Sequence, residues 1–185
     1  MSSKERYKTI FIGLAIAINL IGGFIALTLK LPIYLDTIGT ILVSVMFGPI
    51  SGAIAGGLTS IVNGITFDPI SFYFIPVQIV LGLVTGVLIK EKKFCGFKTI
   101  LKIVLITVIS SSVSSVIAAF VFNGVTSSGS SILVAVLKNS GISIVTAVFS
   151  TQIFTDLLDK AISFAVVFAA IKIMPFNMKN LIIRN

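Results

Sequence analysis

Residues 9–29 read TIFIGLAIAINLIGGFIALTL and contain no charge between Lys8 and Lys30. A helix needs about 20 apolar residues to cross the hydrocarbon core of a bilayer, and this segment has that length. It exceeds the roughly 7 to 15 apolar residues of a signal-peptide core, so we interpret it as a retained membrane span rather than a cleaved leader. The segment therefore predicts a helical membrane protein.

The composition of the whole chain indicates the same class. Of the 185 residues, 56% are hydrophobic and 11% are charged, and the mean hydropathy is +1.15, whereas soluble proteins carry about 25% charged residues. The apolar runs are continuous rather than alternating, which favours helices over a β-barrel. The chain has one cysteine, Cys95, and no histidine, which excludes an internal disulfide and histidine-based catalysis. We expect neither a metal ion nor a cofactor.

Proline-containing turns divide the remaining apolar sequence into further spans. Gly48-Pro49 and Asp68-Pro69 each predict a helix end. The predicted spans are residues 9–29, 37–47, 50–66, 70–89, 103–122 and 152–174, with a short helix within residues 132–149 that dips into the membrane or lies on its surface. The alternative for the C-terminal part is two shorter spans, 141–155 and 161–174. The predicted fold is an all-α membrane protein, a single six-transmembrane-helix bundle.

The charges predict the orientation of this bundle. The chain has 14 basic and 6 acidic residues, and with six spans and an inside N-terminus most basic residues fall on one side. The predicted cytoplasmic set is Lys4, Arg6, Lys8, Lys90, Lys92, Lys93, Lys98, Lys102, Lys172, Lys179 and Arg184. Lys30, Lys138 and Lys160 are predicted to lie on the outer side of the membrane. The positive-inside rule therefore predicts that both termini are cytoplasmic, and the basic excess reflects topology rather than nucleic-acid binding.

Polar residues gather at the outer ends of the predicted spans. The candidate substrate-binding residues are Tyr34, Asp36, Asn63, Tyr73, Gln78, Asn123, Gln152 and Asp156. Each alone fits a helix cap or an interhelical hydrogen bond, but polar groups at membrane depth are costly unless they face a protein interior or a wet cavity. As a set they predict an outward-facing ligand pocket. Amides, nearby phenylalanines and the absence of arginine from the outer half favour a flat, neutral heterocycle.

Other residues in the spans have a structural interpretation. Small residues four apart, such as Gly52 with Gly56 and Gly82 with Gly86, predict close helix packing within the bundle. Gly13 and Ala17 in the first span fit either such packing or docking of a second membrane protein. Asp159 and Lys160 are predicted to pair and to hold the last helix.

Four stretches carry a resemblance to a known family. They are LDTIGT at 35–40, FGPISGAIAGG at 47–57, DPISFYFIP at 68–76 and TDLLDK at 155–160. Together with the order of short spans, they resemble the substrate-binding S components of energy-coupling factor (ECF) vitamin transporters, over nearly the whole chain.

The resemblance implies a function and partners. It implies a high-affinity binder with an extracellular site, in a bacterial cell membrane, that works with a membrane coupling protein and two cytoplasmic ATPases. The substrate would be a vitamin or a nucleoside- or nucleobase-like micronutrient. Many members carry an alanine pair four apart in the first helix for docking, and Gly13 and Ala17 are the nearest match.

Three other functions stay open on sequence alone. An ion-coupled secondary carrier usually has internal sequence repeats. The two halves of this chain show no convincing repeat. A membrane-embedded sensor for a small solute needs no further motif. An intramembrane enzyme using Asp156 and Asp159 would lack histidine and is disfavoured, so the chain is predicted not to be an enzyme.

Overall fold

The computed structural model describes residues 3–89 and 96–175, and this part of the chain is helical without a strand. Cys95, the cluster Lys90, Lys92 and Lys93, and the tail residues Lys179 and Arg184 lie outside the described residues. The elements are α1 (Ser3–Thr28), α2 (Ile38–Phe47), α3 (Pro49–Thr66), a 3₁₀ helix (Pro69–Phe74), α4 (Ile75–Leu88), α5 (Phe97–Phe120), α6 (Ser130–Asn139) and α7 (Ile144–Ile173). The described part thus has seven α-helices, and the count of six membrane spans stays a prediction.

The distribution of polar and apolar side chains is that of a membrane protein. Within the described residues, three segments are long and apolar enough to cross a membrane: Glu5–Thr28, Pro69–Leu88 and Phe97–Phe120. Phe97 and Phe120 are each 72% exposed, whereas Asn19 and Asp159 are fully buried. A soluble protein places these residue types the other way round. The chain is therefore a multi-pass membrane protein.

The helix ends follow from local chemistry. Gly48 adopts a positive φ of 91° between α2 and α3, and Pro49 begins α3, where its missing N–H costs nothing. Helix α7 begins at Ile144, earlier than the predicted residue 152, because the Ser143 hydroxyl accepts a hydrogen bond from Thr146 N at 3.3 Å and caps it. One continuous helix then runs to Ile173, and its buried carboxylates Asp156 and Asp159 accept hydrogen bonds from neighbouring elements.

Glycines let α3 and α4 pack with their backbones in contact. A Cβ atom on Gly82 would lie 2.4 Å from the Gly52 carbonyl carbon, and one on Gly86 would lie 2.4 Å from Pro49 N. A Cβ on Gly56 would lie 2.7 Å from the Gln78 carbonyl oxygen. The prediction that these small residues pack the bundle itself is confirmed, and the contact brings Gln78 close to α3.

A buried asparagine joins the first three helices. Asn19 Oδ1 accepts a hydrogen bond from Gly39 N at 2.7 Å, and Asn19 Nδ2 donates to Thr40 Oγ1 at 2.9 Å and to Thr59 Oγ1 at 3.1 Å. Gly39 N lies in the first turn of α2, where backbone N–H groups have no partner within the helix. Asn19 therefore supplies, from α1, a cap that the Thr37 side chain does not provide.

We expect Asn19→Ala to lower the free energy of unfolding by about 1–3 kcal/mol, because it leaves a buried backbone donor without an acceptor. Thermal unfolding of the detergent-purified protein measures this effect. Asn123→Gly is a suitable control, since Asn123 is exposed and has a positive φ that glycine accepts. Equal midpoints for the two variants would contradict the capping role.

Candidate ligand-binding cavity

A cavity opens between the segment that joins α1 to α2 and the helices α3, α4, α5 and α7. The empty space that it bounds measures about 880 Å³, which includes the open space at its mouth. Polar or charged side chains on the wall come from eight elements or connections: Tyr34, Asp36, Thr37, Ser60, Asn63, Asp68, Ser71, Gln78, Ser110, Ser114, Thr126, Ser127, Ser128, Asp156 and Lys160. Phe67 and Phe74 add aromatic surface.

Asp159 anchors the segment that covers one side of the cavity. Its Oδ1 accepts hydrogen bonds from Tyr34 N at 3.0 Å and from Leu35 N at 2.7 Å. Leu35 has a φ of 54°, in the left-handed region that bulky residues avoid. The predicted pairing of Asp159 with Lys160 is confirmed, with Lys160 Nζ at 2.7 Å from Asp159 Oδ2. The carboxylate thus neutralises a lysine and fixes the backbone of the covering segment at once.

Tyr34 ties the same segment to α6 and α7. Its hydroxyl donates to Gln152 Oε1 at 2.6 Å and lies 3.1 Å from Ser130 Oγ. Burial raises the pKa of Tyr34 above its ordinary value, and the charge of Asp156 adds to this. The phenol is therefore neutral at physiological pH and acts as the donor to Gln152.

Asp36 and Gln78 form a second polar pair on the wall. Gln78 Nε2 donates to Asp36 Oδ2 at 3.1 Å and to the Asp36 carbonyl oxygen at 3.4 Å. Gln78 Oε1 accepts from Thr40 Oγ1 at 3.3 Å, which links this pair to the Asn19 cluster. Burial raises the pKa of Asp36 to about 6, although the positive charge of Lys160 opposes the rise. Asp36 is therefore mainly ionised at pH 7.

Asn63 and Asp68 belong to a third group, between α3, the 3₁₀ helix and the α5–α6 connection. Asn63 Nδ2 donates to Ser71 Oγ at 2.9 Å. Ser71 Oγ donates to Asp68 Oδ2 at 2.9 Å, and Ser127 Oγ donates to the same oxygen at 2.8 Å. Asn63 Oδ1 is buried and has no hydrogen-bond partner among the described residues. The group therefore presents an unused acceptor at the wall.

Asp156 and Lys160 lie one turn apart on α7 and both line the cavity. The Ser111 hydroxyl of α5 donates to Asp156 Oδ2 at 2.5 Å. Within the described part of the chain, no cluster of three or more His, Cys, Asp or Glu side chains is arranged to hold a metal ion.

The structure brings most of the predicted residues together. Tyr34, Asp36, Asn63, Gln78 and Asp156 lie on the wall, and Gln152 lies buried behind it, bonded to Tyr34.

Tyr73 and Asn123 lie away from the cavity wall. Tyr73 is 56% exposed, and its ring packs edge-on against Phe122 with centroids 5.1 Å apart. Ser71 and Phe74, three apart on the same 3₁₀ helix, both line the cavity. Asn123 is exposed just beyond the end of α5.

Sequence reasoning did not assign several wall residues to the site. Lys160 is predicted only to pair with Asp159, and Ser110 and Ser114 are not among the predicted site residues. The available signal was helical spacing, because residues four apart share a helix face. Lys160 follows Asp156 at that spacing, as Ser114 follows Ser110.

Apolar helices around a buried polar cavity are typical of a membrane-embedded transport subunit. The family model for the substrate-specific component of ECF transporters matches residues 8–171, which confirms the resemblance seen in the sequence. The chain belongs to this family, whose members are transport subunits rather than enzymes, bind a small molecule and work with an ECF module. Searches of curated proteins and of solved structures gave no significant match.

Proposed function

We propose that this chain is the high-affinity binding subunit through which an ECF-type ABC importer captures a vitamin- or nucleoside-like micronutrient at the outer face of a bacterial cell membrane. The observation that carries the proposal is the cavity, where buried polar side chains from separate helices converge and Asn63 Oδ1 is left without a partner. Buried polar atoms are rarely left unpaired in native proteins. A bound solute would complete this hydrogen bonding.

Charge supports the proposed sidedness. The cavity lies beside the connections 29–37, 67–74 and 121–129, at one end of the bundle. Arg6, Lys8, Lys98 and Lys102 lie near the other ends of α1 and α5. Under the positive-inside rule these basic ends are cytoplasmic. The cavity then faces outward, and both termini are cytoplasmic.

A thermal-shift screen of the detergent-purified protein against vitamins, nucleobases and nucleosides tests the proposal. A ligand at 1,000 times its dissociation constant stabilises the fold by about 4 kcal/mol, so a true substrate produces a large shift. The binding subunit should bind without sodium or a proton gradient, whereas a secondary carrier should need the ion. No shift with any compound would contradict the proposal.

We also propose that Gly13 and Ala17 dock the membrane coupling protein. Both residues are exposed on α1, and a Cβ atom on Gly13 would meet no other atom within 4 Å. Neighbouring Ala15 and Asn19 instead face the bundle and are fully buried. The outward face of α1 therefore offers a surface that a second helix can approach closely.

We expect Gly13→Leu to reduce co-purification with the coupling protein at least tenfold while ligand binding to the isolated subunit is unchanged. The leucine side chain would hold the partner helix away, and its Cβ would meet no other atom of this chain within 4 Å. Ala165→Leu, at an exposed position on α7, is the matched control. Equal recovery of the complex from both variants would place the docking surface elsewhere.

A further inference from the structure

The cavity wall carries more negative than positive charge. Asp36, Asp68 and Asp156 lie on it, and Lys160 is its one cation among the described residues. The Lys160 ammonium already pairs with Asp159, which lies behind the wall and is fully buried. Separating a buried ion pair is costly because each charge is left uncompensated. Lys160 is therefore a poor anchor for a negatively charged ligand.

Several donors of the wall are used within the protein. The hydroxyls of Ser71 and Ser127 donate to Asp68, and the Gln78 amide donates to Asp36. The Ser110 hydroxyl donates to carbonyl oxygens of its own helix. Side chains whose protons are engaged in this way offer oxygen lone pairs to a ligand. The hydrogen-bonding character of the wall is thus weighted towards acceptors.

Asn63 provides independent evidence for an acceptor site. The single hydroxyl proton of Ser71 goes to Asp68, so Ser71 can only accept from Asn63. This fixes Nδ2 as the atom that faces Ser71 and leaves Oδ1 buried without a partner among the described residues. Asn63 itself is 8% exposed and lines the cavity. The group that would complete its hydrogen bonding is a donor.

We propose that the ligand is a neutral or cationic heterocycle that presents N–H donors to Asn63, Asp36 and Asp156. The inference rests on the proposed function, because it assigns the ligand class of the same cavity. Amino-substituted rings, ring N–H groups and protonated amines match these acceptors. A carboxylate or phosphate would face three wall carboxylates while the one ammonium is engaged, and is disfavoured.

Thermal unfolding with pairs of compounds that share a ring system and differ in charge tests this inference. Suitable pairs are pyridoxamine with 4-pyridoxate, adenosine with AMP, and riboflavin with FMN, within the wider screen. The member without net negative charge should produce the larger shift in any pair that stabilises the protein, and a screen hit outside the pairs should be neutral or cationic. A larger shift from an anionic member, or an anionic hit, overturns the inference but leaves the proposed function intact. If no compound in the screen produces a thermal shift, the proposed function and this inference are both overturned.

Asp156→Asn gives a second test. Asparagine keeps an oxygen acceptor for Ser111 but removes one negative charge from the wall. We expect at least tenfold weaker binding of the ligand found in the screen, and a smaller preference over its anionic counterpart. Tyr73→Phe, away from the wall, should leave both values unchanged. If Asp156→Asn does not fold, Asp36→Asn makes the same charge change from the connecting segment. Unchanged affinity and preference in a folded variant overturns the inference.

Discussion

Asp159→Asn is expected to lower the free energy of unfolding by about 3–5 kcal/mol and to abolish tight ligand binding. The substitution leaves Lys160, itself buried, without its closest counter-charge, and breaking a buried ion pair from one side has this cost. The Asp159 carboxylate also accepts hydrogen bonds from the backbone N–H groups of Tyr34 and Leu35. An asparagine amide, with one oxygen, cannot replace both of these roles. The covering segment would then lose its position over the cavity. Thermal unfolding and ligand titration measure the two effects.

A double variant separates the effect of the unpaired Lys160 charge from the effect of the altered hydrogen bonds of residue 159. Asp159→Asn combined with Lys160→Met removes both charges, so the double variant should be more stable than Asp159→Asn alone. Asp68→Asn is the matched single change, because it makes the same substitution at a carboxylate that accepts hydrogen bonds from two serine hydroxyls. If Asp159→Asn were no more destabilising than Asp68→Asn, the anchoring role of Asp159 would be wrong.

Gly82→Ala is expected to destabilise the bundle by about 3 kcal/mol, at the upper end of the usual cost of overpacking. Its Cβ would lie 2.4 Å from the Gly52 carbonyl carbon and 2.5 Å from Ala53 N. Both atoms belong to the backbone of a helix, so relief requires α3 and α4 to move apart, and overpacking of this kind typically costs 1–3 kcal/mol and at times more. The shift also displaces Gln78, one turn earlier on α4, so ligand affinity falls with stability. Thermal unfolding of the purified variant measures the effect.

Gly13→Ala is the matched control for this substitution. It makes the same chemical change in a helix, but its Cβ meets no atom within 4 Å. Alanine is also a better helix former than glycine, by about 1 kcal/mol, so Gly13→Ala should be neutral or stabilising. Comparable losses of stability in both variants would show that helix propensity, and not the contact between α3 and α4, sets the outcome.

Much of the helical architecture was predictable because its signals are local. The turn at Gly48-Pro49 ends one helix and begins the next through proline chemistry alone. The start of α7 was predicted too late, because the polar residues from Gln152 to Lys160 suggested a boundary. Those side chains are buried and bonded to neighbouring elements, a tertiary effect that a single helix pattern does not reveal.

The candidate site was predictable only in outline. Polar residues at one end of the spans indicated a pocket, and five of them lie on its wall. The sequence could not distinguish Tyr73 from Phe74, since the tertiary packing of their segment decides which ring faces the cavity. Nor could it reveal that Asn19 and Asp159 hold backbone amides in distant segments, at Gly39 and at Tyr34 and Leu35.

The most direct test of the binding cavity is calorimetric titration of the screened ligand into wild type, Asn63→Ala and Tyr73→Phe. Asn63→Ala removes the Asn63 amide from the cavity wall and should weaken binding by about 1–3 kcal/mol, or about 5- to 150-fold in dissociation constant. Removing the exposed phenol of Tyr73 should leave the dissociation constant unchanged. Wild-type affinity in Asn63→Ala, or a loss of affinity confined to Tyr73→Phe, would contradict the assignment of the ligand to this cavity.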